Sequence, residues 1–148
     1  MPPVPSDELT SQVVALFAAI NRRYARESEA AATPYELTPL QAKALLAAEE
    51  PVAMRRLAEY LHAEPSNVTA IVDRLEARGL AERRPSPGDR RVKLVAATET
   101  GLTVIADLRA RMPFASHPLE PLSQEQRETL RDLLALMLDE QGPAATPG

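Results

Sequence analysis

In Pro65-Ser66-Asn67-Val68-Thr69-Ala70-Ile71-Val72-Asp73-Arg74-Leu75-Glu76-Ala77-Arg78-Gly79-Leu80, residues 65–78 read as one helix, and the residues beyond Gly79 do not. Apolar residues at Val68, Ile71, Val72 and Leu75 have the 3,4 spacing of a single helical face. Pro65 suits the first helical position, and Gly79 after Arg78 suits a C-terminal stop. Beyond it, residues 80–84 and 91–95 each suit a strand. They are joined through Pro85-Ser86-Pro87-Gly88-Asp89-Arg90, whose Pro-Gly pair suits a type II turn. The stretch therefore predicts a helix followed at once by a hairpin with a charged tip.

Upstream, Met54, Leu57, Ala58 and Leu61 mark a helix of roughly two turns, and His62-Ala63-Glu64 is a three-residue turn. Two short helices joined by such a turn and followed by a two-stranded hairpin spell a winged helix-turn-helix. Other helices surround it. Residues 6–28 carry Leu9, Val13, Leu16, Phe17, Ile20 and Tyr24 on one face, and residues 29–34 interrupt that helix. Thr38-Pro39-Leu40-Gln41 is a capping box opening a second helix that runs to Ala48. Thr98 caps a fifth helix with Leu102, Ile105, Leu108 and Met112 along one side, which Pro113 and Pro118 break. Ser123-Gln124-Glu125-Gln126 caps the last, whose stripe is Leu130, Leu133, Leu134 and Met137 with Leu136 and Leu138 added. The fold class is mainly α with a small β wing.

A chain of 148 residues suits one domain, and 45% hydrophobic against 26% charged residues suits a folded one. With no Cys, disulfides, thiolate metal sites and cysteine nucleophiles are excluded together. His62 and His117 stand far from any second His at ligand spacing, so no metal or cofactor is expected. The amino end has no basic residue before an apolar run, and no stretch approaches 18 apolar residues, so a cytoplasmic protein without a membrane partner is expected.

The net charge of −4 argues against a nucleic-acid partner until it is divided. Residues 54–93 hold nine basic and six acidic side chains, a local +3, which leaves −7 for the rest. On the helix 65–78, Ser66, Asn67, Ala70 and Arg74 form a stripe fit for a major groove. Ser and Asn can bond phosphates or bases, Ala permits close approach, and Arg can reach guanine O6 and N7. The hairpin concentrates Arg83, Arg84, Arg90, Arg91 and Lys93, suited to phosphates or a minor groove, with Asp89 placed to orient a guanidinium.

These residues resemble the MarR family of bacterial transcriptional regulators. The resemblance is carried by residues 37–41, by Leu57-Ala58-Glu59-Tyr60-Leu61, by residues 68–80 with Asp73-Arg74-Leu75-Glu76-Ala77-Arg78-Gly79-Leu80, and by Asp89-Arg90-Arg91, Thr98-Glu99-Thr100-Gly101 and Leu122-Ser123. It implies a homodimer on a pseudo-palindromic double-stranded operator, with recognition helices about 34 Å apart in successive major grooves. The DNA contacts it implies are Ser66, Asn67, Ala70 and Arg74 on the helix and Arg84, Asp89, Arg90, Arg91 and Lys93 on the wing. The organisation it implies is a single domain over residues 1–148. Residues 7–34 and 99–140 are its dimerisation helices, 35–98 its winged helix-turn-helix, and 141–148 a flexible tail. It further implies a repressor released by a small aromatic or phenolic ligand in a crevice near Arg23, Tyr24 and Tyr35, although Tyr24 also lies on a core stripe. Without Cys, release by thiol oxidation is closed.

This chain departs from the family pattern at His62, where Gly is frequent, at Glu64, where Ser is common, and at Pro113, where the fifth helix often continues. An enzyme is the weakest reading, because no phosphate loop, Ser/His/Asp set or metal-ligand cluster appears. A winged-helix module that binds protein without specific DNA binding is the remaining alternative. It would not need wing cations and Arg74 on one face.

Overall fold

A computed structural model describes residues 7–138. The chain divides between Ser116 and His117 into two compact units. The first holds α1 (Glu8–Ala32), a 3-10 turn (Thr33–Tyr35), α2 (Pro39–Ala47), β1 (Val52–Ala53), α3 (Met54–Leu61), α4 (Pro65–Ala77), β2 (Ala81–Pro85), β3 (Lys93–Ala97), α5 (Glu99–Ala110) and α6 (Pro113–Ser116). The second holds α7 (Gln124–Leu138). The expected tail at 141–148 and the last two residues of the 99–140 segment lie outside the described residues.

Asp7 caps α1 by accepting from the Thr10 N–H at 2.5 Å. The helix continues four residues beyond the expected stop because Glu29-Ala30-Ala31-Ala32 is strongly helix-forming, and Ala31 and Ala32 reach the core. Only there is α1 buried. Leu9 is 68% exposed and Leu16 63%, so this helix of 25 residues offers most of its apolar stripe to solvent. The capping box of α2 forms as expected, with Gln41 N–H on Thr38 Oγ1 and Thr38 N–H on Gln41 Oε1, each at 3.0 Å.

The core gathers Leu45 from α2, Leu57 from α3, Val68, Val72 and Leu75 from α4, Val95 from β3, and Ile105 and Leu108 from α5. All four apolar residues expected to face inward on α4 do so. On α5 the inward face is Gly101, Val104, Ile105 and Leu108. Leu102, expected inward, is exposed because Gly101 takes the position nearest the sheet.

The wing differs from a two-stranded hairpin. Its sheet has three antiparallel strands in the order β1-β3-β2, with Val52 opposite Val95 and Ala81 opposite Ala97. A strand of two residues carries no period, so β1 was not legible. β2 starts at Ala81 because Leu80 completes the helix stop: Leu80 N–H reaches Leu75 O at 2.9 Å and Gly79 N–H reaches Glu76 O at 3.0 Å, with Gly79 at φ +72°. β3 starts at Lys93 because Val92 closes the tip, accepting from Ser86 N–H at 2.8 Å and donating to Asp89 O at 3.0 Å. The tip turns at residues 86–89, where Asp89 N–H meets Ser86 O at 3.3 Å, but Gly88 takes no positive φ and the turn is not type II.

In the second unit, Ser123 and Gln126 form the expected capping box, and Arg127 Nε donates to Leu119 O at 3.1 Å. No residue of α7 is buried, and Leu133 and Leu136 are 53% and 76% exposed. Among the described residues no helix is long and apolar enough to cross a membrane.

Candidate nucleic-acid interface

The helix-turn-helix is made by α3 and α4. His62 ends α3 at φ +51° and ψ +45°, a left-handed position where glycine would be easier, and Ala63 N–H caps back to Ala58 O at 3.1 Å. Glu64 precedes α4 without a side-chain cap and offers its charge to the helix N-terminus. With Val68, Ile71, Val72 and Leu75 buried, Ser66, Asn67, Ala70 and Arg74 are left exposed on the outer face. Arg74 has no ion-pair partner among the described residues.

Arg83 corrects the reading of five wing cations. Its guanidinium turns to α4, donating to Asp73 at 2.7 Å and to Glu76, while its backbone N–H reaches Glu76 at 3.2 Å. Burial works against its charge, yet the Asp73 hydrogen bond and the two carboxylates hold its pKa above the ordinary arginine value. Arg83 is a strap between β2 and α4. Sequence reasoning missed it, although Asp73 and Glu76 at a three-residue step, ahead of a strand arginine, formed a readable charge pattern.

Arg84, Asp89, Arg90, Arg91 and Lys93 lie on the wing. Arg84 pairs with Glu82 at 2.6 Å, and Asp89 accepts from both the Arg91 N–H at 3.0 Å and its Nε at 3.3 Å, the orienting contact expected of it. Arg90 and Lys93 are exposed and unpaired among the described residues.

A separate crevice of about 850 Å³ opens between α1, α2, α3 and the end of α5. Tyr24, Tyr60 and Met112 line it with two cations, Lys43 and Arg109, and one carboxylate, Glu29. Lys43 Nζ stands 5.0 Å from the Tyr60 ring centre, and Arg109 is paired with Glu49. Of the three residues expected there, only Tyr24 lines it. Arg23 lies over the Phe114 ring at 4.2 Å, and Tyr35 donates its hydroxyl to Asp107. Lys43, Tyr60 and Arg109 come from three helices with no shared period, so no sequence signal groups them.

The MarR family model matches residues 36–92. The HTH-type transcriptional repressor NicR of Pseudomonas putida is 30% identical over 138 residues, spanning 89% of this chain and 85% of NicR. An uncharacterized HTH-type transcriptional regulator of Mycobacterium bovis is 32% identical over 107 residues, 72% of this chain and 75% of that one. The crystal structure of CouR from Rhodococcus jostii RHA1, bound to p-coumaroyl-CoA, superposes with a TM-score of 0.71 at 29% identity, covering 93% of this chain and 97% of CouR. With a winged helix-turn-helix that leaves Arg74 and the wing cations exposed, this chain belongs to the MarR family of DNA-binding transcriptional regulators.

Proposed function

We propose that the chain is a cytoplasmic, homodimeric repressor that binds a pseudo-palindromic operator and is released by a small aromatic anion. The observation that carries the DNA reading is the outer face of α4, where Ser66, Asn67, Ala70 and Arg74 stand exposed beside a wing strapped to the same helix by Arg83. In this reading Arg74 reads a base edge in the major groove, while Arg90 and Arg91 reach the flanking minor groove and its phosphates, Arg84 and Lys93 add cations along the backbone, and Asp89 orients Arg91.

Dimerisation through residues 7–34 and 99–140 is supported by the exposed apolar residues of α1 and α7. Long helices with uncovered apolar stripes are unstable alone and gain their stability from a partner. Release by an aromatic anion is supported by a crevice that combines Tyr24 and Tyr60 with Lys43, which has no ion-pair partner among the described residues, and with Arg109, which Glu49 holds. NicR is a repressor by name, and CouR holds an aromatic acyl thioester.

Selection of bound sites from random duplex DNA, repeated with a panel of aromatic acids, tests the whole reading. The expected result is an enriched palindrome, bound with steep salt dependence and released by at least one acid. Failure to enrich any palindrome would favour a protein-binding module. In sedimentation, Leu133→Glu with Leu136→Glu should give a folded monomer; a persistent dimer would remove α7 from the interface.

A further inference from the structure

A second groove, of about 500 Å³, lies on a different face of α1 from the crevice. Arg22, Arg23 and Arg26 line it from α1, Arg111 enters from the end of α5, and Glu27 is its one carboxylate. Ala19 and Ala30 leave room between the long side chains.

The charges in this groove are unbalanced. Arg22 and Arg26 stand four residues apart and Arg23 and Arg26 three, spacings at which like charges destabilise a helix. None of the three has an ion-pair partner among the described residues. Glu27 does not relieve them, because its two oxygens accept from the backbone N–H groups of Phe114 at 3.1 Å and Ala115 at 2.8 Å, tying down the start of α6. Arg111 gives its Nε to Asp107 at 2.8 Å and keeps its terminal amino groups free among the described residues. Arg23 stands over the Phe114 ring, with its guanidinium carbon 4.2 Å from the ring centre.

We propose that this arginine groove binds a phosphate-bearing small molecule through two adjoining phosphates. Guanidinium forks match phosphate oxygens two at a time, and a pyrophosphate group carries enough charge to satisfy several of them where a single carboxylate would satisfy one. The volume is within the range of small-molecule sites. The groove takes residues from α1 and α5 and none from α4 or the wing, so the ligand is not the operator backbone. The site stands apart from the aromatic crevice, and direct binding reads it whether or not DNA release is regulated there.

Calorimetric titration of the full chain at fixed ionic strength, with inorganic pyrophosphate, coenzyme A and orthophosphate, is the test. Pyrophosphate and coenzyme A should bind more tightly than orthophosphate. Arg22→Gln with Arg26→Gln should weaken pyrophosphate at least tenfold, and Arg90→Gln with Arg91→Gln should leave it unchanged. Coenzyme A tighter than pyrophosphate identifies an organic diphosphate; equal affinities identify the phosphates alone, and both support the site. The site is overturned if neither anion binds, if the α1 double variant binds as tightly as the parent, or if the wing variant is the one that loses binding. It is also overturned if the α1 variant sediments as a monomer, since the groove then faces a second copy. Should that variant fail to fold, Arg26→Lys keeps the charge and removes the fork; it should weaken pyrophosphate several-fold, and unchanged affinity would overturn the proposal.

Discussion

The guanidinium of Arg83 on β2 lies 2.7 Å from the carboxylate of Asp73 on α4, joining the wing to the recognition helix. The same guanidinium holds Glu76, so one cation pairs with two carboxylates on the helix that carries Arg74. Arg83 thus sets where wing cations stand relative to the helix, without itself being free for phosphate.

Arg83→Ala should lower the unfolding free energy by about 1 kcal/mol, because charged hydrogen bonds are lost at a site still 26% exposed and partly screened. Operator affinity should fall while its dependence on salt concentration stays the same. Urea unfolding and a salt titration check both, and a shallower slope would show Arg83 meeting phosphate directly.

Arg74→Ala should cost about 1–3 kcal/mol of operator binding and relax preference at one base pair. Binding measured across a set of single-base operator variants reads this. Unchanged affinity and preference would remove Arg74 from the major groove.

Replacing Arg90 and Arg91 together by Ala should weaken binding to all sequences and reduce the salt slope by roughly 1–2. Asp89→Ala, which releases the Arg91 side chain, should weaken binding less and leave the slope close to the parent's. Equal slopes for the parent and the double variant would contradict phosphate contact by the tip.

Gly101→Ala should destabilise the fold by about 2 kcal/mol. An added Cβ would stand 1.9 Å from Leu80 O, a backbone atom already held by Thr98 N–H at 3.0 Å, so neither side can easily give way. The gain in helix propensity, about 1 kcal/mol, is smaller than the clash. Thermal unfolding beside Gly79→Ala, which meets no neighbour but must hold φ +72°, separates crowding from backbone strain.

Tyr35→Phe should change how stability depends on pH. The Asp107 hydrogen bond, then burial, raises the Tyr35 pKa, while the Tyr35 and Arg111 hydrogen bonds lower that of Asp107. A raised tyrosine stabilises below its unfolded pKa, about 10, and that contribution is lost as pH rises through the higher folded value. A depressed carboxylate stabilises above its unfolded pKa, about 4, and that is lost as pH falls through the lower folded value. In the variant the alkaline loss should vanish and the acid loss should shrink but persist, because Arg111 still holds Asp107. Stability curves that differ from the parent's by a constant at every pH would contradict this coupling.

Most of the helices were legible from residues close together in the chain. The Thr38 and Ser123 capping boxes, Pro65, the Gly79 stop and the four-residue apolar face of α4 are local patterns, and each forms as read. The strand limits were less legible, because Leu80 and Val92 form cap and turn hydrogen bonds that compete with the ladder. The exposed stripe of α4 and the wing cations other than Arg83 could likewise be named from spacing and charge alone.

The sequence by itself determined the winged helix-turn-helix and the helix face it exposes, since periodicity, caps and charge act within a few residues. Only the tertiary structure decided that Arg83 serves the fold and that Tyr35 holds Asp107 from 72 residues away. It alone gathered Lys43, Tyr60 and Arg109 around one crevice and four arginines around another. Packing sets those partnerships, because an ion pair or a cavity depends on which side chains meet in space, and spacing along one element does not encode its neighbours on another.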